Sequence, residues 1–129
     1  MKYLLDVNVL VAHLVAVHAH HARARAWVLT LARADTLLLS PWVEIGFLRV
    51  GLKARLIPDL ATGQRLLRGV AAGAARIEAI ADGSRAAALP LWADTPARLG
   101  DGHLAALAAA HGCRLATFDQ DIPGACQIP

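Results

Sequence analysis

The sequence alternates short apolar runs with longer helical segments, and this alternation constrains the fold more than any other feature. Capping residues mark some of the helix starts, such as Ser40 before Pro41. Strands that alternate with helices favour a parallel β-sheet, because each parallel connection has to cross a face of the sheet. The pattern predicts strands over residues 3–5, 36–39, 75–81, 113–118 and 125–128.

Helices are predicted between the strands, and together the two sets describe an α/β sandwich with a parallel sheet of four to five strands. With 57% hydrophobic and 18% charged residues in 129 positions, the chain has the composition of one folded domain over 1–129 and not of a disordered segment. The predicted helices cover residues 9–17, 20–34, 41–50, 60–72, 84–92 and 101–112.

Five of the ten carboxylates lie at element ends or within apolar sequence. Asp6 and Asp119 each follow an apolar strand directly, and parallel sheets carry their sites beyond the carboxyl ends of the strands. Glu44 lies in the apolar helix PWVEIGFL, where burial is costly unless the carboxylate has a partner or a metal. The five acids are Asp6, Glu44, Asp101, Asp119 and Asp121, and no Lys or Arg immediately flanks any of them.

Convergence of these acids would create strong repulsion. Two carboxylates ~5 Å apart repel by about 3 kcal/mol at an effective dielectric constant of about 20. A hard divalent cation such as Mg²⁺ or Mn²⁺ relieves this repulsion, because such ions prefer oxygen ligands. An acidic metal site in a chain of net charge +3 indicates phosphodiester chemistry on a nucleic acid, in which the metal activates water.

Each acid except Glu44 also has a structural explanation when it is taken alone. Asp101 suits the N-cap of a helix, and Asp119 with Asp121 suits a turn. Asp6 suits the cap of the following helix, with help from its neighbour at position 8. The joint pattern, and not any single acid, therefore carries the metal-site hypothesis.

Four segments in this order resemble the PIN-domain nucleases, and more closely the VapC toxins of bacterial type II toxin–antitoxin modules. The segments are LLDVNVLV at 4–11, SPWVEIGFLRV at 40–50, DGHLAALA at 101–108 and LATFDQD at 115–121. Each segment alone is weakly specific, whereas the ordered set is fairly specific and covers essentially the whole chain.

The resemblance implies a PIN-like three-layer sandwich with strand order 3-2-1-4-5 and an acidic site for Mg²⁺ or Mn²⁺. The positions that match the family's four catalytic and metal-binding acids are Asp6, Glu44, Asp101 and Asp119. The supporting positions are Asn8 and Thr117, which match small polar residues that hold the first and last acids, and Asp121, which matches a variable fifth acid. The departures from the family pattern are Gly100 and Gly102, where Ser or Thr and Ala are common.

The implied function is metal-assisted hydrolysis of RNA by an endoribonuclease that acts as the toxin of a toxin–antitoxin pair. The implied partners are transfer or ribosomal RNA as substrate, a cognate antitoxin and a second copy of the chain. The helices over 9–17, 22–31 and 41–50 carry more apolar residues than one buried stripe requires, which also indicates an interface. No apolar run approaches the ~20 residues that span a bilayer, so a cytoplasmic protein is expected.

Two other functions stay open at this point. The motif YLLDVNVL is also similar to haloacid-dehalogenase phosphatases, although these carry a second Asp where Asn8 stands and a later Lys. A non-catalytic module that binds RNA or protein through the same fold is the third hypothesis.

Histidines and tryptophans are the remaining candidates for chemistry. The histidines that cluster in the sequence are His13, His18, His20 and His21, and no nearby Cys or acid completes a zinc site among them. The tryptophans, which suit core or interface packing better than base stacking, are Trp27, Trp42 and Trp92.

Overall fold

The computed structural model describes residues 1–70, 73–83 and 86–129. Within these ranges the chain forms a five-stranded parallel sheet in the order β3-β2-β1-β4-β5. This confirms the α/β fold with a parallel sheet and the implied strand order 3-2-1-4-5. The strands are β1 (Lys2–Leu5), β2 (Thr36–Leu39), β3 (Arg76–Ala79), β4 (Arg114–Thr117) and β5 (Cys126–Gln127).

Helices connect the strands and cover both faces of the sheet. The helices in the described residues are α1 (Val7–Leu14), α2 (His21–Leu29), α3 (Pro41–Lys53), α4 (Leu60–Arg68) and α5 (Leu99–Ala110). α1 packs on α2 and α3, α3 packs on α4, and α5 packs on β1 and β4. The chain runs outward from β1 to β3 and returns to β4 on the other side of β1, so right-handed connections place α5 on the face opposite α1–α4.

The core lies between the central strands and the helices on each side. β2 is buried at all four positions, which is the pattern of a strand covered on both faces. Leu4 of β1, Phe47 of α3 and Leu104 of α5 are almost completely buried. Every helix in the described ranges is too short or too polar to cross a lipid bilayer.

The first two helices differ from their predicted bounds. α1 begins at Val7 and not at residue 9, because Asp6 already caps it. It ends at Leu14 and not at residue 17, because the backbone of Val15 is extended. α2 ends at Leu29, although the apolar pattern predicted a helix as far as residue 34.

The helix predicted over residues 84–92 is wrong. Residues 84 and 85 lie outside the described residues, and residues 86–88 form a single 3-10 turn. Pro90, two residues after this turn, has no backbone N–H for a helical hydrogen bond. α4 ends at Arg68, and residues 71–72 of the helix predicted over 60–72 lie outside the described residues.

The start of α5 depends on a close contact at Gly102. A Cβ atom at Gly102 would overlap the Cβ of Ala93, a buried residue of the preceding loop. A Cβ at Gly100 would meet the ring of Trp42 at 3.4 Å, an ordinary van der Waals distance. Packing therefore requires glycine at 102 but tolerates a methyl group at 100.

We expect Gly102→Ala to destabilise the protein and Gly100→Ala to leave it equally or more stable. Both changes gain roughly 1 kcal/mol of helix propensity. The overlap at position 102 costs roughly 1–3 kcal/mol, because Ala93 has to move. Thermal unfolding followed by circular dichroism compares the pair, and equal Tm values for the two variants would contradict the close packing at Gly102.

Candidate active site

The carboxyl end of β1 brings Asp6 to the middle of one edge of the sheet. β1 lies between β2 and β4, so the first turn of α3 and the loop after β4 flank Asp6. The Asp6 N–H donates to the Ala116 carbonyl of β4 at 3.0 Å. Asp6 is a buried carboxylate, with 6% of its surface exposed, at the edge where parallel sheets hold their ligands.

The Thr117 hydroxyl, at the end of β4, is the centre of a hydrogen-bond network around Asp6. It donates to Asp6 Oδ2 at 2.6 Å, and it accepts from Asn8 Nδ2 at 3.2 Å and from the Asp119 N–H at 3.0 Å. A hydroxyl has one hydrogen and two lone pairs, so the capacity of Thr117 is fully used. Because the Thr117 hydroxyl donates its hydrogen to Asp6 Oδ2, that oxygen acts as an acceptor, which favours the ionised form of the Asp6 carboxylate.

Asn8 and the start of α1 complete the network. Asn8 Oδ1 accepts from the Phe118 N–H at 3.3 Å, so its Nδ2 faces Thr117. Asp6 Oδ1 accepts from the Val7 N–H at 2.6 Å, which confirms Asp6 as the N-cap of α1. Asn8 therefore supports Asp6 through Thr117 and not by capping the helix.

Three aspartates share one electrostatic field. Burial raises the pKa of Asp6, and hydrogen bonds from Thr117 and a backbone N–H oppose that rise because they stabilise the charged form. The charges of Asp101 and Asp119 raise the pKa of Asp6 further. The pKa of Asp101 is also raised, first by burial and then by the charge of Asp119, while the nearby Arg98 lowers it.

A cavity of about 540 Å³ opens beside these aspartates. Its lining residues are Ala97, Arg98, Asp101, Asp119, Asp121 and Ile122. α5 begins at Leu99, so Asp101 lies in its first turn, and the N-cap interpretation of Asp101 is wrong. The Asp121 N–H donates to Asp119 Oδ1 at 2.8 Å, which confirms the predicted turn and still leaves Asp119 Oδ2 outside that hydrogen bond.

Glu44 lies in the first turn of α3, which follows the carboxyl end of β2. Ser40 caps this helix, because its Oγ accepts from the Val43 N–H at 3.4 Å. Glu44 is partly exposed, so water reduces the cost that its apolar sequence neighbours suggested. The structure places Glu44 on the same edge of the sheet as Asp6, but Glu44 is not among the charges that raise the pKa of Asp6 or Asp101.

The donor chemistry of this edge fits a hard divalent cation. Its acids offer carboxylate oxygens, which Mg²⁺ and Mn²⁺ prefer, and a cation among them relieves the repulsion from Asp101 and Asp119 that adds to the effect of burial on the pKa of Asp6. In the described part of the chain, no three His, Cys, Asp or Glu side chains are close enough to form a ready-made metal site. Ligation would therefore require small movements of these side chains.

Arg98 is a cation at the site that the sequence analysis missed. It lines the cavity, and its Nη2 donates to the Asp121 carbonyl at 3.1 Å. Its guanidinium also lies 4.9 Å from the centre of the Trp92 ring. Arg98 comes three residues before Asp101, and this spacing was the available signal because residues three apart share a helix face.

The histidines of the sequence cluster do not gather around a metal within the described residues. The His20 ring lies 5.2 Å from the ring of Phe118, over which the Arg23 guanidinium also packs at 4.8 Å. His21 Nδ1 contacts the Ala12 carbonyl at 2.7 Å. The His18 and His20 rings are 5.8 Å apart, so these two histidines lie together at the turn before α2, with His20 also against Phe118.

We expect Thr117→Val to destabilise the protein more than the same replacement at Thr36. The change at 117 keeps the shape of the side chain but removes the hydroxyl that three polar groups use. Each buried polar group left unsatisfied costs about 1–3 kcal/mol. Thr36 is also buried, in β2, and takes no part in this network.

Urea unfolding of both threonine variants measures the difference. The expected free energy of unfolding is lower for Thr117→Val than for Thr36→Val by at least about 2 kcal/mol. Equal losses of unfolding free energy in the two variants would show that the Thr117 hydroxyl stabilises the protein no more than an ordinary buried hydroxyl does.

Curated proteins that are similar to this chain over most of its length include two from Mycobacterium tuberculosis. The chain is 35% identical over 128 residues to Ribonuclease VapC38 of Mycobacterium tuberculosis, in an alignment that covers 92% of this chain and 86% of that protein. It is 30% identical over 135 residues to Ribonuclease VapC39 of the same species, with 92% and 89% covered.

Solved structures and a protein-family match are both consistent with the fold of this chain. The crystal structure of VapBC2 from Rickettsia felis bound to a promoter DNA fragment is similar, with a TM-score of 0.61, 19% identity, and 98% of this chain and 97% of that chain covered. The PIN domain family matches residues 3–126. Because that match spans nearly the whole sequence, this chain belongs to the PIN-domain family.

Proposed function

We propose that this protein is a metal-dependent endoribonuclease that acts as the toxin of a toxin–antitoxin pair. The observation that carries the proposal is the shared electrostatic field of Asp6, Asp101 and Asp119 beside a cavity of about 540 Å³. The relatives VapC38 and VapC39 carry the name ribonuclease, which supports RNA as the substrate class. A net charge of +3 favours approach to a polyanion.

The acids proposed to hold Mg²⁺ or Mn²⁺ are Asp6, Glu44, Asp101 and Asp119. When bound, such an ion lowers the pKa of water and neutralises charge on the phosphate oxygens. Thr117 fixes the position of Asp6 Oδ2, and Asn8 fixes the direction of the Thr117 hydroxyl. These two residues therefore keep one ligand in place before any ion arrives.

The rim of the cavity is suited to an RNA phosphate. Arg98 supplies positive charge next to Asp101, and it is held by its contacts with the Asp121 carbonyl and the Trp92 ring. Asp121 is exposed on the same rim, where it adds negative charge for a cation without being buried. We assign Arg98 to binding of the RNA backbone and Asp121 to a supporting role.

The proposal extends to partners. Ile45 and Leu52 on α3 and Leu60 at the start of α4 are exposed apolar side chains, and such groups commonly mark an interface. The similar fold of the VapBC2 complex supports a protein partner. We propose a cognate antitoxin and a second copy of the chain as partners, and transfer or ribosomal RNA as the substrate.

The phosphatase alternative needs a lysine near Asp6, and neither lysine of the sequence is placed there. Lys2 begins β1 at its amino end, ~13 Å of strand from Asp6. Lys53 is the last residue of α3, whose first turn lies at the carboxyl edge of the sheet. The ribonuclease proposal is therefore the better supported of the two.

We expect Asp101→Asn and Glu44→Gln each to lower Mn²⁺-dependent RNA cleavage by about 100-fold or more, because each change removes a charged ligand. Asp94→Asn is the matched control, since Asp94 is exposed and does not line the cavity. Sequencing of RNA ends after incubation with total transfer and ribosomal RNA measures cleavage, with 5′-phosphate and 3′-hydroxyl ends expected. Wild-type rates in Asp101→Asn would contradict the assignment, and inactivity of the wild type with Mn²⁺ would favour a non-catalytic binding module.

Stability measurements separate lost chemistry from lost folding in Asp101→Asn. The raised pKa of Asp101 means that ionisation of this acid destabilises the folded state as the pH rises above the ordinary value of 3.8. Without metal, the variant should therefore unfold at a higher temperature than the wild type at pH 7. This difference should shrink as the pH falls toward 3.8, where the acid is increasingly protonated in both states.

A further inference from the structure

A second cavity, of about 310 Å³, lies across the first turn of α5 from the acidic cavity, and we call it the side cavity. Leu99 and His103 of α5 line the side cavity, whereas Arg98 and Asp101 line the acidic one. At 100° per residue these two pairs point in roughly opposite directions from the helix axis. A nucleotide chain that crosses this turn can therefore reach both cavities at once.

Trp42 forms one wall of the side cavity and is held at several points. Its backbone N–H donates to Asp82 Oδ2 at 2.8 Å, and its ring lies against Gly100. The Trp42 and His103 rings are 5.2 Å apart, with their planes inclined by 54°. Trp42 nevertheless remains 41% exposed. A fixed indole with this much free surface is suited to stacking on a nucleobase.

Asp82 provides a hydrogen-bond acceptor beside this indole. One carboxylate oxygen accepts from Trp42, and the other lies 3.4 Å from His103 Nε2. Each oxygen can accept a second hydrogen bond, so both keep acceptor capacity. The Asp82 side chain is 27% exposed, and among the described residues that line the side cavity only Asp82 and His103 are ionisable.

We propose that the side cavity binds a nucleobase that carries an exocyclic amino group, in the nucleotide next to the cleaved phosphate. The base stacks on Trp42 and donates its amino hydrogen to the Asp82 carboxylate. Uracil is disfavoured, because it has no amino group and its one free donor, N3–H, lies between two carbonyl oxygens that the carboxylate would repel. The inference rests on the proposed ribonuclease function and adds a base preference to it.

His103 acts in this proposal as a positioning residue. Its ring contacts Trp42, and its Nε2 approaches Asp82, so it braces both groups that would contact the base. The Asp82 carboxylate also accepts from the N-terminal turn of α3, a role that Asn fills equally well. Asp82→Asn therefore keeps the helix contact while it replaces one acceptor by a donor.

Nucleoside monophosphates test the base preference without cleavage, so the result does not depend on nuclease activity. Cytidine and uridine monophosphates form a matched pair, because they differ only at C4, which carries an amino group in cytidine and a carbonyl oxygen in uridine, and at N3, which carries a hydrogen only in uridine. Titration of the metal-free protein is followed through the indole N–H signals in ¹H–¹⁵N NMR spectra. Cytidine monophosphate should shift the Trp42 signal and bind about tenfold more tightly than uridine monophosphate.

Three variants locate the effect in the side cavity. Asp82→Asn should remove the cytidine preference while keeping wild-type Tm, because its amide can also donate to the uridine carbonyl. Trp42→Leu should weaken binding of both nucleotides by about tenfold. Leu91→Ala, an exposed change outside the cavity and outside the proposed partner surface, should bind as the wild type does.

Equal affinity for the two nucleotides in the wild type would overturn the proposal. An unshifted Trp42 signal at saturation would overturn it as well, because the base would then bind elsewhere. If the cytidine preference holds in a protein that cleaves no RNA, the side cavity stands and the ribonuclease proposal alone fails.

Discussion

The hydrogen bond from the Thr117 hydroxyl to Asp6 is the interaction on which the rest of the candidate site depends. It joins the ends of β1 and β4, and it stabilises a buried carboxylate that burial and the charges of Asp101 and Asp119 all destabilise. Without that bond, Asp6 would have only the N-cap contact of α1 to offset these costs. Concentrated like charge at a strand end reduces stability, and proteins keep such arrangements mainly at functional sites.

Much of the fold follows from local sequence signals. Apolar runs that alternate with helices predict a parallel sheet, and acids placed directly after a strand, such as Asp6 and Asp119, predict the edge where a site lies. The strand order came from the resemblance to PIN-domain nucleases, because periodicity alone does not order strands. Helix ends were less predictable, since a cap such as Asp6 or a residue such as Pro90 outweighs the apolar pattern.

Features that depend on distant contacts could not be read from the sequence. Glu44 has only apolar neighbours between positions 41 and 48, yet it is partly exposed because the direction of its side chain depends on how α3 packs. Asp82 and Trp42 meet across 40 positions of sequence, which no local spacing reveals. Both cavities arise where α5 meets residues from elsewhere in the chain, including Trp42 of α3 in the side cavity, so base preference and backbone binding depend on tertiary packing.

The central claim is that Asp6, Asp101 and Asp119 form one charged site that takes up a divalent cation. A pH titration of the side-chain carboxyl ¹³C signals, without and with saturating Mg²⁺, tests it most directly. The pKa values of Asp6 and Asp101 should lie above the ordinary value of 3.8 without metal and fall when Mg²⁺ binds. Asp59, an exposed helix cap with a lowered pKa, serves as the internal control and should not respond. Titration curves of Asp6 and Asp101 that Mg²⁺ leaves unchanged would contradict the account.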